Sequence, residues 1–428
     1  MKGFSTRAIQ AATRAPKVDQ HPNSVPIYQA VTFSSADAEE LGEVTSGRTP
    51  GYAYGRIANP TDTALEEAIA EIHGAEAAQV FASGMAAIHA ALVSVVSAGD
   101  RIVSTRAVYG STRSQLINLL GRFGVTVEFV DATDHEAVER ALAAAPTRML
   151  YVETIANPTI VVTDIAALAR IAHRHGAALV VDNTFASAYL CRPLELGADL
   201  VAESATKFMS GHSDVLGGVV VGSRERIARV RSVQIDTGGT LAPFAAFLIL
   251  RGLATLAVRM DRHTATATAL AAWLEGQPGI ERVFHPSLAS HPQAAVCAAQ
   301  LRSAGGMLAF ELAGGRVAGR AFVDALTIPE RTASLGSIHT IVAHPPSTTH
   351  RQLTDAELTE TGIAAGLLRC SVGLEDLQDL QADFTNALEA ARRAAADAGT
   401  PATGAPPGAP AASPIADLPE RATAAVRP

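Results

Sequence analysis

Only three of the 34 lysines and arginines in this 428-residue chain are lysines, and the one amine after Lys17 is Lys207, in SATKFMSGHSDVLGG (204–218). Arginine stays protonated in proteins, so it neither forms imines nor shuttles protons; lysine does both once burial or nearby cations lower its pKa. The plain alternative is a solvated surface cation, and the neighbouring residues must decide between the two. Ser204-Ala205-Thr206-Lys207 satisfies S-x-x-K, a serine acyl-enzyme motif whose class also needs K-T-G and S-D-N. No lysine follows 207, and Ser213-Asp214 is followed by Val215, so the sequence argues against acyl transfer.

A Schiff base to pyridoxal phosphate (PLP) is the other use of a lone lysine, and it requires an acidic partner for the ring nitrogen and a phosphate cradle. LVVDNTFAS places Asp182 at the carboxyl edge of a predicted buried strand, where ligands of open α/β sheets bind. A turn or N-cap role is the competing reading of Asp182. FASGMAAIHAALV places Ser83, Gly84 and Met85 at a strand-to-helix turn, whose free N–H groups and positive helix end suit an anion. Small residues are common at helix starts, so this signal is weak alone. Two hydroxyls close to the lysine, Ser204 and Thr206, would complete a cup around one phosphate dianion.

The elements that must hold these residues alternate. From about residue 61 to 222, β-branched runs (DRIVST, VTVEFV, RMLYVET, AALVVDN, GGVVVG) are interleaved with amphipathic helical stretches such as MAAIHAALVSVVSAG and DIAALARIAHRHG. The latter helix is expected to be capped by Thr163 and closed at Gly176. Such alternation predicts an α/β fold, a mostly parallel sheet covered by helices on both faces. After about Arg251 long helical segments dominate, with an antiparallel piece around GGMLAFEL, so a smaller C-terminal α+β domain is expected. The expected division is an N-terminal segment (1–60), a large domain (61–250), a C-terminal domain (251–398) and a tail (399–428). The first fifty residues read as loop. The tail holds seven prolines and no aromatics, so disorder is expected there.

Composition bounds the ligands. Hydrophobic content of 48%, charged content of 18%, a net charge of −8 and a pI near 5.9 describe a globular protein suited to small molecules rather than nucleic acid or anionic membrane. Cys191, Cys297 and Cys370 show no metal or disulfide spacing, and MKGFSTRAIQ has no apolar leader-like run, so a cytoplasmic setting is expected. His339, His344 and His350 share one loop, but their spacing matches no common metal site and no metal is expected.

With these residues in place, the chain from about Gly3 to Ala395 resembles the Cys/Met metabolism (transsulfuration) family of PLP enzymes, through DNTFAS, SATKFMSGHSDVLGG and LLRCSVGLEDLQDL. The resemblance implies a PLP-dependent transferase fold of type I, like aspartate aminotransferase. It makes Lys207 the Schiff-base lysine and Asp182 the partner of the ring nitrogen, with Gly84, Met85, Ser204 and Thr206 around the phosphate. Tyr54 and Arg56, in YGRIANPT, are implied to reach a neighbouring subunit's phosphate, in a homotetramer built from active dimers. Tyr109 is implied to stack on the ring and to act as acid or base near the leaving group. Asn157 falls near the cofactor's phenolic oxygen, while Arg369 would clamp the substrate carboxylate and Ser334 would orient both that carboxylate and the lysine.

The same resemblance sets the substrates: an amino acid of homoserine or methionine type and a small thiol, with γ-replacement or γ-elimination as the reaction. Cystathionine-handling members tend to carry glutamate where this chain has Ala333. Methionine γ-lyases often have cysteine two residues after the stacking tyrosine, where this chain has Ser111. HPPSTTHRQL (344–353) looks more like the sulfhydrylases, so O-acylhomoserine sulfhydrylase is the leading expectation, followed by methionine γ-lyase, then cystathionine γ-synthase or γ-lyase. An inactive scaffold is the non-enzymatic alternative, and the intact Lys207, Asp182 and Arg369 argue against it.

Overall fold

The computed structural model describes residues 2–12, 22–348, 358 and 362–399. Its larger sheet has seven strands: β1 (Ala77–Phe81), β2 (Arg101–Thr105), β3 (Thr126–Val130), β4 (Met149–Glu153), β5 (Ala178–Asp182), β6 (Leu200–Glu203) and β7 (Gly218–Gly222), in spatial order β1-β7-β6-β5-β4-β2-β3. Every neighbouring pair is parallel except those of β7, which runs antiparallel to both β1 and β6. The central β4 and β5 are buried along their whole length, which fits their near-continuous apolar sequences. They pair in register so that Glu153 lies beside Asp182, and two carboxyl groups therefore share the carboxyl edge of the sheet.

Helix starts follow local capping. The helix Gly84–Val93 begins at Ser83, whose side chain accepts the Ala86 N–H. The helix Ile165–Arg174 is capped by Asp164, which accepts the Ala167 N–H; the expected cap, Thr163, lies one residue too early. Gly176 (φ 69°) follows its C-terminus in the left-handed conformation that glycine adopts without strain.

A second sheet, entirely antiparallel, has the order β10 (Ile341–Ala343), β11 (Leu367–Ser371), β9 (Met307–Leu312), β8 (Ile280–Phe284). Against it lie the helices Gly315–Ala325 and Leu377–Asp397, joined through Phe310, Phe322 and Phe384, whose rings meet edge to face at 5.4 Å and 5.3 Å around Phe322.

The N-terminal region departs from the loop expected there. Phe4–Ala12 is a helix that buries Phe4, Ala8, Ala11 and Ala12, with Phe4 edge-on to Tyr189 at 4.9 Å; Ala38–Thr45 is a second, exposed helix. The Ser/Thr start and short length of the first helix hide its periodicity, and tertiary packing decides its state. No single helix among the described residues is long and apolar enough to cross a membrane. The bent pair Pro243–Ala254 and Leu256–Glu275 meets that test jointly, and its Ile249, Leu253, Leu256 and Met260 are buried in the protein core. The tail from residue 400 onward and His350 lie outside the described residues.

Candidate active site

A cleft of about 1190 Å³ opens at the carboxyl edge of the large sheet and is closed on its far side by residues 331–335 and β11. It gathers Gly84, Met85, Ser204, Thr206 and Lys207 from one side, Asp182 from the end of β5, Tyr109 and Asn157 from the segments that follow β2 and β4, and Ser334 and Arg369 from the other side.

At one end the chain is packed for close approach. A Cβ on Gly84 would fall 2.7 Å from Ser204 Cβ, and one on Gly218 would fall 2.2 Å from the Ser83 carbonyl oxygen. Glycine is therefore required at both places. The N–H groups of Gly84 and Met85 belong to the first helical turn and have no intrahelical acceptor. Thr206 Oγ accepts the Gly217 N–H at 2.9 Å, which fixes it in the same wall, and the Ser204 N–H donates to Thr184 Oγ at 2.9 Å. Main-chain donors, a helix N-terminus and two hydroxyls could hold a phosphate here.

Asp182 lies on the cleft floor, 8% exposed, and accepts the Thr184 N–H at 2.9 Å. Burial pushes its carboxyl up, against the pull of Thr184. No ion pair to Asp182 is found among the described residues, so a protonated ring nitrogen above it would meet a carboxylate in need of a cation.

Beside it stands Glu153, which the sequence reading passed over. Its two oxygens accept the main-chain N–H groups of Tyr109 (2.6 Å) and Asn157 (3.1 Å), so one buried carboxyl fixes the start of both loops. Burial, and next the charge of Asp182, drives the Glu153 pKa well up. The available signal was YVETIANPT, where Glu153 ends a buried strand just as Asp182 does.

Lys207 Nζ donates to Ser334 Oγ at 2.9 Å rather than to Ser204, which further disfavours the acyl-enzyme arrangement. Burial, then the Arg369 charge, lowers the Lys207 pKa from 10.5 to about 8. Arg369 donates through Nη1 to Asn157 Oδ1 at 3.0 Å and through Nη2 to the Ser334 carbonyl at 2.6 Å. Its Nε is buried without a partner, and no carboxylate pairs with the guanidinium among the described residues. A buried guanidinium held only by neutral acceptors is a site for an anion such as an α-carboxylate.

Tyr54 and Arg56 do not line this cleft. Tyr54 is 41% exposed, the Arg56 guanidinium lies 5.5 Å from its ring centroid, and Arg56 Nη1 donates to the Ile235 carbonyl at 2.6 Å. Of the loop histidines, His339 is exposed, while His344 is buried with Nε2 against the Ala365 carbonyl at 2.9 Å and Nδ1 against Ser347 Oγ. No group of three or more His, Cys, Asp or Glu among the described residues is placed to hold a metal. The three cysteines are buried and unpaired.

Residues 5–389 match the family described as Cys/Met metabolism PLP-dependent enzyme. This chain belongs to that family. It is 44% identical to the L-methionine gamma-lyase of Pseudomonas putida over 394 residues, covering 91% of this chain and 98% of that one. It is 42% identical to the O-succinylhomoserine sulfhydrylase of Pseudomonas aeruginosa, covering 90% and 95%. The cystathionine gamma synthase of Xanthomonas oryzae pv. oryzae, solved with aminoacrylate and cysteine, superposes with a TM-score of 0.86 at 35% identity, covering 92% of this chain and all of that one. The fold is thus that of the PLP enzymes of this family, and the family member described here is a PLP-dependent enzyme of sulfur amino acid metabolism.

Proposed function

We propose that the enzyme carries out γ-elimination on methionine, converting methionine and water to 2-oxobutyrate, ammonia and methanethiol. The observation that carries the choice is the lining of the cleft. Among the described residues the carboxyl groups that line it are Asp182 and Glu153, each committed to the floor, which leaves none of these to receive the distal amino group of cystathionine. Ala333, Leu335, Val342 and Ile363 offer an apolar wall suited to a thioether. The 44% identity to a methionine γ-lyase supports the same reading, and it reverses the order that HPPSTTHRQL suggests.

PLP, when bound, supplies an aldehyde reactive toward amines and a ring that accepts electrons. Gly84, Met85, Ser204 and Thr206 would hold its phosphate, joined by Tyr54 and Arg56 of a neighbouring subunit in a dimer or a homotetramer. Asp182 would keep the ring nitrogen protonated. Arg369 binds the α-carboxylate and, with Asn157, turns the amino acid so that its Cα hydrogen faces Lys207. Lys207 Nζ, brought near neutrality and held by Ser334, takes that proton and returns one later. Tyr109, anchored through its N–H by Glu153, moves a proton at the departing sulfur. General acid–base steps of this kind contribute about 10²- to 10⁴-fold each.

A second reading is γ-replacement on O-succinylhomoserine with sulfide or a small thiol. Arg106 and Arg331 line the cleft and could receive a succinyl carboxylate. The test is a substrate panel: methionine, O-acetylhomoserine, O-succinylhomoserine and cystathionine, each with and without sulfide. 2-Oxobutyrate and methanethiol from methionine at the highest kcat/KM support elimination; homocysteine from an acylhomoserine and sulfide, with methionine inert, supports replacement.

A further inference from the structure

Away from the cleft, a small cavity lies between the helix Pro60–His73, strand β1, the helix Arg224–Thr237 and the loop at residues 55–59. Its free volume is about 10 Å³, room for one water-sized sphere. Three residues that line it carry buried oxygen atoms with no hydrogen-bond donor: Asp62 Oδ1, Gln79 Oε1 and Gln234 Oε1. All three residues are more than nine-tenths buried, at 7%, 4% and 2% exposure.

The amide nitrogens fix the orientation of both glutamines. Gln79 Nε2 donates to Glu66 Oε1 at 2.6 Å, and Gln234 Nε2 donates to Thr240 Oγ at 2.7 Å. Turning the Gln79 amide would set its oxygen against a carboxylate. Three unpaired acceptors on residues that line one small buried cavity are unusual in a native fold, where nearly all such groups find a donor or an ion. Charge points the same way. Asp62 and Glu66 stand one helical turn apart, and Arg231 is the one cation acting on Glu66, its Nη2 already donating to the Ile57 carbonyl at 2.8 Å. No ion pair to Asp62 is found among the described residues, and its nearest charged influence is Glu66, of the same sign. In keeping with this, burial pushes Asp62 up to about 8 and Glu66 to about 7.

We propose that a monovalent cation of potassium size binds in this cavity, coordinated by Asp62, Gln79 and Gln234. Divalent ions fit poorly: calcium takes six to eight oxygens, and magnesium keeps several waters for which there is no room. Neutral amide oxygens with a single carboxylate suit a dehydrated potassium ion, which is close to water in size. The ion would also fasten the loop that presents Tyr54 and Arg56, because Gln234 Nε2 reaches the Arg56 carbonyl (3.4 Å) and Arg231 holds that of Ile57.

The full-length PLP-loaded enzyme is exchanged into tetramethylammonium chloride, and KCl is titrated in at constant ionic strength while the unfolding midpoint is followed. The expected result is a rise of about 2 °C or more, absent in Asp62→Asn. Crystals of the unaltered protein soaked in RbCl should show an anomalous peak between Asp62, Gln79 and Gln234. An equal midpoint in both salts, a rise undiminished in Asp62→Asn, or ordered water without an anomalous peak at that point would each overturn the proposal. The rubidium soak decides the matter even where Asp62→Asn does not fold.

Discussion

Lys207 Nζ donates to Ser334 Oγ at 2.9 Å, and the same Ser334 gives its carbonyl to Arg369. The amine proposed to move the substrate proton and the guanidinium proposed to hold the substrate carboxylate are thus spaced by one residue. Ser334→Ala should lower kcat about 10-fold through loss of that hydrogen bond while leaving cofactor content intact. An unchanged kcat in steady-state assays with methionine would show that Ser334 does not position the lysine.

Arg369→Lys keeps a positive charge but loses the planar fork. With carboxylate binding its proposed task, kcat/KM should fall by about 10²-fold or more, chiefly through KM, with the cofactor absorbance preserved. Initial-rate kinetics over a range of methionine concentrations check the split.

Gly84→Ala places a methyl group 2.7 Å from Ser204 Cβ, at the wall proposed to hold the phosphate. Both must shift, so the variant should lose about 1–3 kcal/mol of stability and retain PLP at least about 10-fold less tightly, read by thermal unfolding and by cofactor titration of the apoenzyme.

His73 Nε2 and Glu203 Oε1 approach to 3.4 Å in the core. Burial, followed by the Arg192 charge, lowers His73 to about 3, and burial raises Glu203 to about 8 despite the hydrogen bond from Asn183. A carboxyl whose folded pKa is raised contributes stability that is complete below its unfolded value of 4.5 and lost as pH rises through about 8. Glu203→Gln, which cannot ionise, should therefore flatten the fall of the unfolding midpoint between about pH 5 and 8. Its advantage over the parent should reach about 1–3 kcal/mol at the alkaline end. Parallel midpoint curves for the two proteins would contradict this.

Much of the site was legible because its signals are local. Asp182 ends an apolar strand, Ser83-Gly84 opens a helix, and Lys207 stands out among arginines. What was missed depends on contacts across the chain. Glu153 earns its place by binding an N–H 44 residues away, and Arg369 meets Asn157 across 212 residues, neither of which periodicity records. The helix Phe4–Ala12 is stabilised by the core it covers rather than by its own propensity. Tyr54 and Arg56 do not line the cleft of their own chain, and the role in a neighbouring subunit that the resemblance implies for them has no counterpart within one chain.

The central claim is that Lys207 alone among three lysines carries the cofactor. Borohydride reduction of the PLP-loaded enzyme, followed by peptide mass spectrometry, tests it directly. The account predicts the pyridoxyl phosphate mass on the peptide containing Lys207 and on no other. Label on Lys2 or Lys17, or an active enzyme with Lys207 unmodified, would contradict it.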